Sequence, residues 1–468
     1  MVQYNRKQWI TFCVFALTNF SIHTSNSVIA PLYPGLASDK GASASEYGLI
    51  LGLLQLVMVI ATPIYGKYIN SVGPKRMYVT GIYLVAIYNV FLGFIDHVDG
   101  TEAFIGVSLL LQVIAACGVA TVPIVTYSVI PREFPDNISG TFACLEIFSG
   151  LGLMAGPLLA GILEEVGGFT MPFIVVGCIL TTAGTVAVFN FPSSSSSSKT
   201  NQIEEGTNKP SMLALVKIPA ILLFMFALLT STFLFGFLWV VFGPKLQAID
   251  MDITSMKVCI VFAINAAAYS FSAPGIGCWS DRISSPVLLT IAGALTTSTT
   301  LVYWGLQAMN VLQDTYLLSA LSAAVLGAGI ACGIVSTFSG TFRTALDSGF
   351  PDDLTTTGLV SGLWTAFYCM GCFLGPFLGG VLLDTVGNAW AYFIVAICEL
   401  LVVCASVIYY CSSRRRHRAV PGRSGYTEII DVENDNNNNG DEYKTLKPRN
   451  DKTKVFYGST IQADYVQV

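Results

Sequence analysis

The chain has 468 residues, 53% of them hydrophobic and only 11% charged, with a mean hydropathy of +0.64, which excludes an ordinary soluble domain. The formal net charge of −5 says little, because most charge sits in the tail and short loops; the basic run Arg414 to Arg418 abuts the last span, where it can attract anionic lipid headgroups, and no nucleic-acid motif accompanies it. Catalytic triads, nucleotide loops and metal-ligand clusters are missing, so the sequence predicts no enzyme, no cofactor and no metal.

A membrane-spanning helix needs about 20 mainly apolar residues. The sequence predicts an all-α membrane protein with twelve such spans: 9–34, 46–68, 77–95, 103–129, 139–163, 170–191, 219–242, 256–278, 286–305, 316–342, 355–383 and 390–411. Trp9 opens the first span with no cleavage site behind it, so that span is read as a helix that stays. An even count puts both termini on one side. Arg6, Lys7, Lys67, Lys75, Arg76, Arg132, Lys199, Lys209, Lys217, Arg282 and Arg343 share that side, against Lys40, Lys245 and Lys257 on the other. The positive-inside rule makes it the cytosol.

Two stretches repeat. Gly152, Gly156-Pro157, Gly161 and Glu165 in the fifth span match Gly371, Gly375-Pro376, Gly380 and Asp384 in the eleventh, each pair 219 positions apart. Pro63-x-x-Gly66 recurs as Pro274-x-x-Gly277, 211 positions on, and Phe134-Pro135-Asp136 as Phe350-Pro351-Asp352, 216 on. Three anchors in one order at nearly one spacing predict two pseudo-symmetric six-helix bundles. The expected plan is a cytosolic N-terminus (1–8), bundles at 9–191 and 219–411, a Ser-rich linker (192–218) and a disordered cytosolic tail (412–468).

The loop after the second span carries Gly66, Asn70, Gly73, Lys75 and Arg76, and its counterpart after the eighth carries Gly277, Asp281 and Arg282. These resemble the loop signature of the major facilitator superfamily, and the Gly-Pro helices resemble its antiporter motif. Leu145 to Leu153 and Gly358 to Trp364 are similar to the vesicular amine transporter family, nearest its vesicular polyamine transporter branch. The resemblance implies the major facilitator fold, proton-driven exchange of a cationic amine, and loop contacts that latch the cytosolic face. The sequence departs from that family at three places: no acid stands between Asn19 and His23, Trp239 follows Phe237-Leu238, and Gln112 takes the place of a fourth-span Arg.

Glu146 is the expected proton- or cation-handling group, because a carboxylate at membrane depth costs about 2.5–3.5 kcal/mol and is a functional-site hypothesis by default. A helix-bridging carboxylate that never titrates is its alternative. His23 could titrate beside it or serve as a hydrogen-bonded packing residue. Asn19, Gln112 and Asn265 could bind substrate or join helices. Trp239, Tyr269, Trp364 and Tyr368 could present π faces to an organic cation or simply pack. Glu399 in the last span is read as structural. In the tail, Tyr426 and Ile429 fit a tyrosine sorting signal and Val466 to Val468 a PDZ ligand, which predicts clathrin-adaptor or PDZ contacts.

The expected function is proton-coupled exchange of a small organic solute, a polyamine or other amine, across a vesicular, endosomal or lysosomal membrane by alternating access. The expected partners are therefore the solute, protons and membrane lipids. Two alternatives remain from the sequence: a carrier of a neutral or zwitterionic solute, and a non-transporting receptor or tether acting through its tail.

Overall fold

The structure is a computed structural model that describes residues 5–135, 138–192, 212–249, 253–283, 285–313, 315–351 and 354–419, with Tyr4–Ser413 forming one compact unit. The described residues are helical throughout their ordered elements and contain no strand, as expected where a backbone must satisfy its own polar groups in hydrocarbon. In chain order the helices are α1 (Arg6–Asp39), α2 (Ala44–Val72), α3 (Pro74–Gly93), α4 (Thr101–Val119), α5 (Thr121–Glu133), α6 (Ile138–Gly167) and α7 (Thr170–Asn190). They continue with α8 (Met212–Val216), α9 (Pro219–Gln247), α10 (Ser255–Arg282), α11 (Val287–Ala308), α12 (Tyr316–Asp347) and α13 (Leu354–Ala419).

Local chemistry sets several of the boundaries. Ser43 and Glu46 form a reciprocal capping box that starts α2. Gly73, at φ 91°, ends α2, and Pro74 supplies the first residue of α3. Gly387, at φ 75°, breaks α13 into two arms, 354–386 and 388–419, in a backbone region that disfavours any side chain.

Ten helices among the described residues are long and apolar enough to cross a membrane. The expected count of twelve differs from ten through two features. The α13 arms run together as one apolar stretch, Thr356–Ser413, and α1 is too rich in polar residues to reach the same apolarity. The expected span 103–129 is α4 and α5, which meet at Ala120 and run on as one apolar stretch, Thr101–Glu133.

Two large hydrophobic cores and a small cluster of Ala227, Ala294, Val402 and Val403 fill the unit among the described residues. One is drawn almost wholly from α1–α7 and receives Val240 and Cys259; the other comes from α8–α13 and receives Ala30. Trp239 and Leu383 pack against both. The candidate site lies on that seam.

Candidate functional site

The repeated Gly-Pro helices make matching contacts. On α6, Gly152 packs on Phe20 and His23 of α1, and Gly156 on Ser27 and Thr24. On α13, Gly371 packs on Thr232 and Leu229 of α9, and Gly375 on Phe233. Ser27 Oγ also donates to the Gly152 carbonyl at 3.2 Å. Each motif helix is thus fastened to the first helix of its own half by glycines that let backbones close up.

One turn further along, the same helices cross the seam. Gly161 of α6 meets Met256 and Cys259 of α10, and Gly380 of α13 meets Ala44 and Ser45 of α2. Gly52 of α2 completes the contact: a Cβ built there would lie 2.6 Å from the Phe373 carbonyl oxygen. The acids after the motifs follow suit. Asp384 accepts from the backbone N–H groups of Ala44 (3.1 Å) and Ser45 (2.8 Å), a carboxylate at a helix N-terminus. Glu164 reaches Ser255, the first residue of α10. The end of the molecule where α2 and α10 begin is sealed.

Inward from the seal lie two narrow clefts that share Trp239. The first is bordered by Asn26, Leu51, Gln55, Tyr88 and Gln112. Gln112 is 2% exposed, and its Oε1 lacks a hydrogen-bond partner, which leaves an acceptor turned toward the cleft. The second is bordered by Ser27, Pro157, Phe235, Asn265 and Tyr269. Asn265 spends its Nδ2 on the Ala323 carbonyl at 2.8 Å, so it braces α12 as well as facing the cleft.

The aromatic candidates lie in one series with Phe235. The Phe235 ring stands edge-on to Trp239 at 5.9 Å and lies 6.2 Å from Tyr269. Tyr269 lies close to Tyr368, which stacks on Trp364 at 5.3 Å. The Trp364 indole donates to Thr337 Oγ1 at 3.3 Å. Ring by ring, the chain runs from the clefts toward the opposite end.

Glu146 shares a helical stripe with Gly150, Leu153 and Pro157, at spacings of four, three and four. Gly150 lies against Ser270 of α10, and Ser270 Oγ donates to its carbonyl at 3.2 Å, while Leu153 and Pro157 border the second cleft. The stripe therefore faces the seam, not lipid. Glu146 stands one turn beyond Gly150, where its charge acts on Tyr127 of α5 and Tyr269 of α10. It is exposed, which differs from the enclosed, low-dielectric position expected of it. On α10 the turn after the Gly150–Ser270 contact is itself open: Pro274 and Gly275 are exposed, and Gly275 has no atom within 4 Å of an added Cβ.

His23 is half-buried on α1; its Nδ1 donates to the Asn19 carbonyl at 2.9 Å when the proton sits on that nitrogen. Asn19 donates Nδ2 to the Phe15 carbonyl at 2.8 Å, within its own helix. Neither borders the two clefts. Asn26, Gln55, Tyr88 and Phe235, which do, escaped sequence reasoning because uncharged polar or aromatic residues in a span carry no pattern of their own.

At the other end the loop-motif glycines meet little. Gly66 has no atom within 4 Å of an added Cβ, and Gly277 has only Val335 at 3.9 Å. Lys75, Arg76 and Arg282 are exposed. The side chains of Asn70 and Asp281, and the tail with Tyr426 and Ile429, lie outside the described residues. A contact that sequence reasoning missed is Arg343 of α12, which donates to the Ser280 and Ile283 carbonyls, both at 3.0 Å, and ties down the C-terminus of α10.

Residues 15–360 match the family model of the Major Facilitator Superfamily. The chain is 29% identical over 424 residues to the MFS-type transporter SLC18B1 of Mus musculus, covering 89% of this chain and 90% of that protein. To the protein of that name from Homo sapiens it is 28% identical, with the same coverage. Among solved structures it is similar to a bacterial homolog of the human lysosomal transporter Spinster in an inward-facing, unoccupied conformation. That match has a TM-score of 0.70 at 14% identity and covers 89% of this chain and 99% of that one. The inward-facing, occupied form gives 0.67, also at 14% identity, over 88% and 98%.

Proposed function

This chain belongs to the Major Facilitator Superfamily and is a multi-pass membrane transporter; on that premise we propose that it exchanges protons for a small organic cation, a polyamine or another amine, by alternating access. The observation that carries the proposal is the seam itself, shut by backbone contacts at one end and parted beyond Gly150 at the other, with Glu146 on the stripe facing it. Proton coupling needs a titratable group reached by solvent from one side at a time, and Glu146 stands at the mouth of the parted side. The ring series from Trp239 through Tyr269 to Trp364 offers π faces, each worth about 0.5–2 kcal/mol to an ammonium group.

In this reading, 9–191 and 219–411 rock as two bundles joined by the 192–218 linker, and the parted face is cytosolic, with both termini. The setting is a vesicular, endosomal or lysosomal membrane, where lumenal acid supplies the drive. A gradient of two pH units gives about 2.7 kcal/mol per proton. Tyr426 and Ile429 direct the protein there; replacing both with Ala is expected to move it to the cell surface, read by surface biotinylation.

The deciding experiment is amine uptake into proteoliposomes under an imposed pH gradient. Glu146→Gln is expected to abolish gradient-driven accumulation while leaving exchange of labelled for unlabelled solute. Accumulation that survives Glu146→Gln removes Glu146 from the coupling. One observation favours a second reading: Asn26, Gln55, Gln112, Asn265 and Ser27 around the clefts are all uncharged hydrogen-bonding groups. They suit a neutral or zwitterionic solute, and flux of such a solute without any pH gradient would decide for it.

A further inference from the structure

Glu399 lies in the second arm of α13, away from both clefts, and is 1% exposed. Its carboxyl group faces Thr230 of α9 and Thr297 of α11, yet neither oxygen makes a hydrogen bond within normal geometry. A buried acid without partners is expensive, and an ionised one far more so.

The two threonines decide its state. Thr230 Oγ1 donates to the Ala227 carbonyl at 3.1 Å. Thr297 Oγ1 donates to the Gly293 and Ala294 carbonyls, both at 3.1 Å. A hydroxyl has one proton, and each has already given it to its own helix. Each can offer Glu399 a lone pair without giving up that bond, and can offer its proton only by breaking it. An ionised carboxylate buried there would need a threonine to release its helix carbonyl, whereas a carboxylic acid has an O–H of its own to give.

Among the described residues no counter-charge changes this. Helix α11 contains no Asp, Glu, Lys, Arg or His. On α9 the one charged residue is Lys245, 15 positions from Thr230 and so about 22 Å along the axis. It is engaged with Gln307 at 3.0 Å and lies over the Trp304 ring at 5.2 Å. On α13, Asp384 caps α2, the first cation of the basic run, Arg414, is 15 positions from Glu399 and so about 22 Å along the axis, and the titratable neighbour among the described residues is the thiol of Cys398.

We propose that Glu399, with the acceptor oxygens of Thr230 and Thr297, forms a buried proton-binding site in the second half of the molecule, separate from Glu146. Its proton is held while α9, α11 and α13 stay packed. Thr230 is nine residues from Trp239, about 13 Å along α9. Any shift of α9 that reshapes the clefts therefore also moves one wall of this site. The use of the site in coupling rests on the transport reading; its protonation does not.

Infrared difference spectroscopy on the full-length protein in lipid at about pH 7 tests the proposal without transport. The wild type should show a protonated-carboxyl stretch that shifts on exchange into deuterium oxide and is lost in Glu399→Gln. Glu399→Gln should melt close to wild type, because a neutral amide replaces a neutral acid of the same shape. Glu399→Ala, measured the same way, should lose the band as well, so that the assignment stands even if either variant folds poorly. A band unchanged in Glu399→Gln and Glu399→Ala overturns the site. So does a carboxylate band at Glu399 that responds to added sodium, together with sodium-dependent melting absent from Glu399→Gln, since that would make the site a metal-cation site.

Discussion

The two ends of the seam use the same kind of residue to opposite effect. Where α2 and α10 begin, Gly48, Gly52, Gly161 and Gly380 press against the backbone or side chains of the other half. Where they end, Gly66 and Gly275 meet nothing within 4 Å, and neither does Gly358 near the start of α13. Small residues are therefore no mark of contact in a single conformation. They mark places where contact can form, and in the proposed alternating-access cycle one set is used at a time.

The largest way to break the comparison is to fill the seal. Gly380→Leu puts a side chain into the Ala44 carbonyl. Overpacking of this kind costs about 1–3 kcal/mol, enough to shift the balance between conformations by roughly fivefold to a hundredfold. Spin labels across the sealed end should report a wider separation, and transport should fall accordingly. The paired change at the parted end, Gly66→Leu, should leave these distances and the melting temperature unaltered while still slowing turnover, because Gly66 must close up later in the cycle. If both variants widen the same end, the two ends are not alternatives.

A smaller effect is expected from Asp384→Asn. The substitution removes a charge worth about 0.3–1 kcal/mol at an exposed helix N-terminus and weakens the bonds to Ala44 and Ser45. It should widen the sealed end in the same spectroscopic measurement, by a several-fold change in population. Glu165→Gln, at the position matching Asp384 in the repeat, should do less, because the residue that reaches α10 is its neighbour Glu164. Smallest of all, Arg343→Met should lower the melting temperature by a few degrees, through loss of two carbonyl contacts, without altering the label distances.

The repeat was legible because glycine and proline have few substitutes where helices touch. Gly152 and Gly371, or Gly161 and Gly380, could be paired by number before any coordinate was known, and their contacts match across the two halves. Glu146 stood out for an equally simple reason, the cost of a charge in an apolar span. The clefts were harder. Trp239, Tyr269, Gln112 and Asn265 border them as suggested, but His23 and Asn19 turn their polar atoms to their own helix. Asn26 and Gln55 went unnoticed because a lone amide has no periodicity.

The sequence by itself determined that the chain is helical, apolar enough for a membrane, and duplicated, since hydropathy, span length and the Gly-Pro spacing are local properties of the chain. Tertiary structure alone decided which end of the seam is shut, that Glu146 stands at the parted mouth, and that Glu399 is buried between threonines of α9 and α11. Those are outcomes of backbones from distant segments meeting, and of where each hydroxyl spends its single proton.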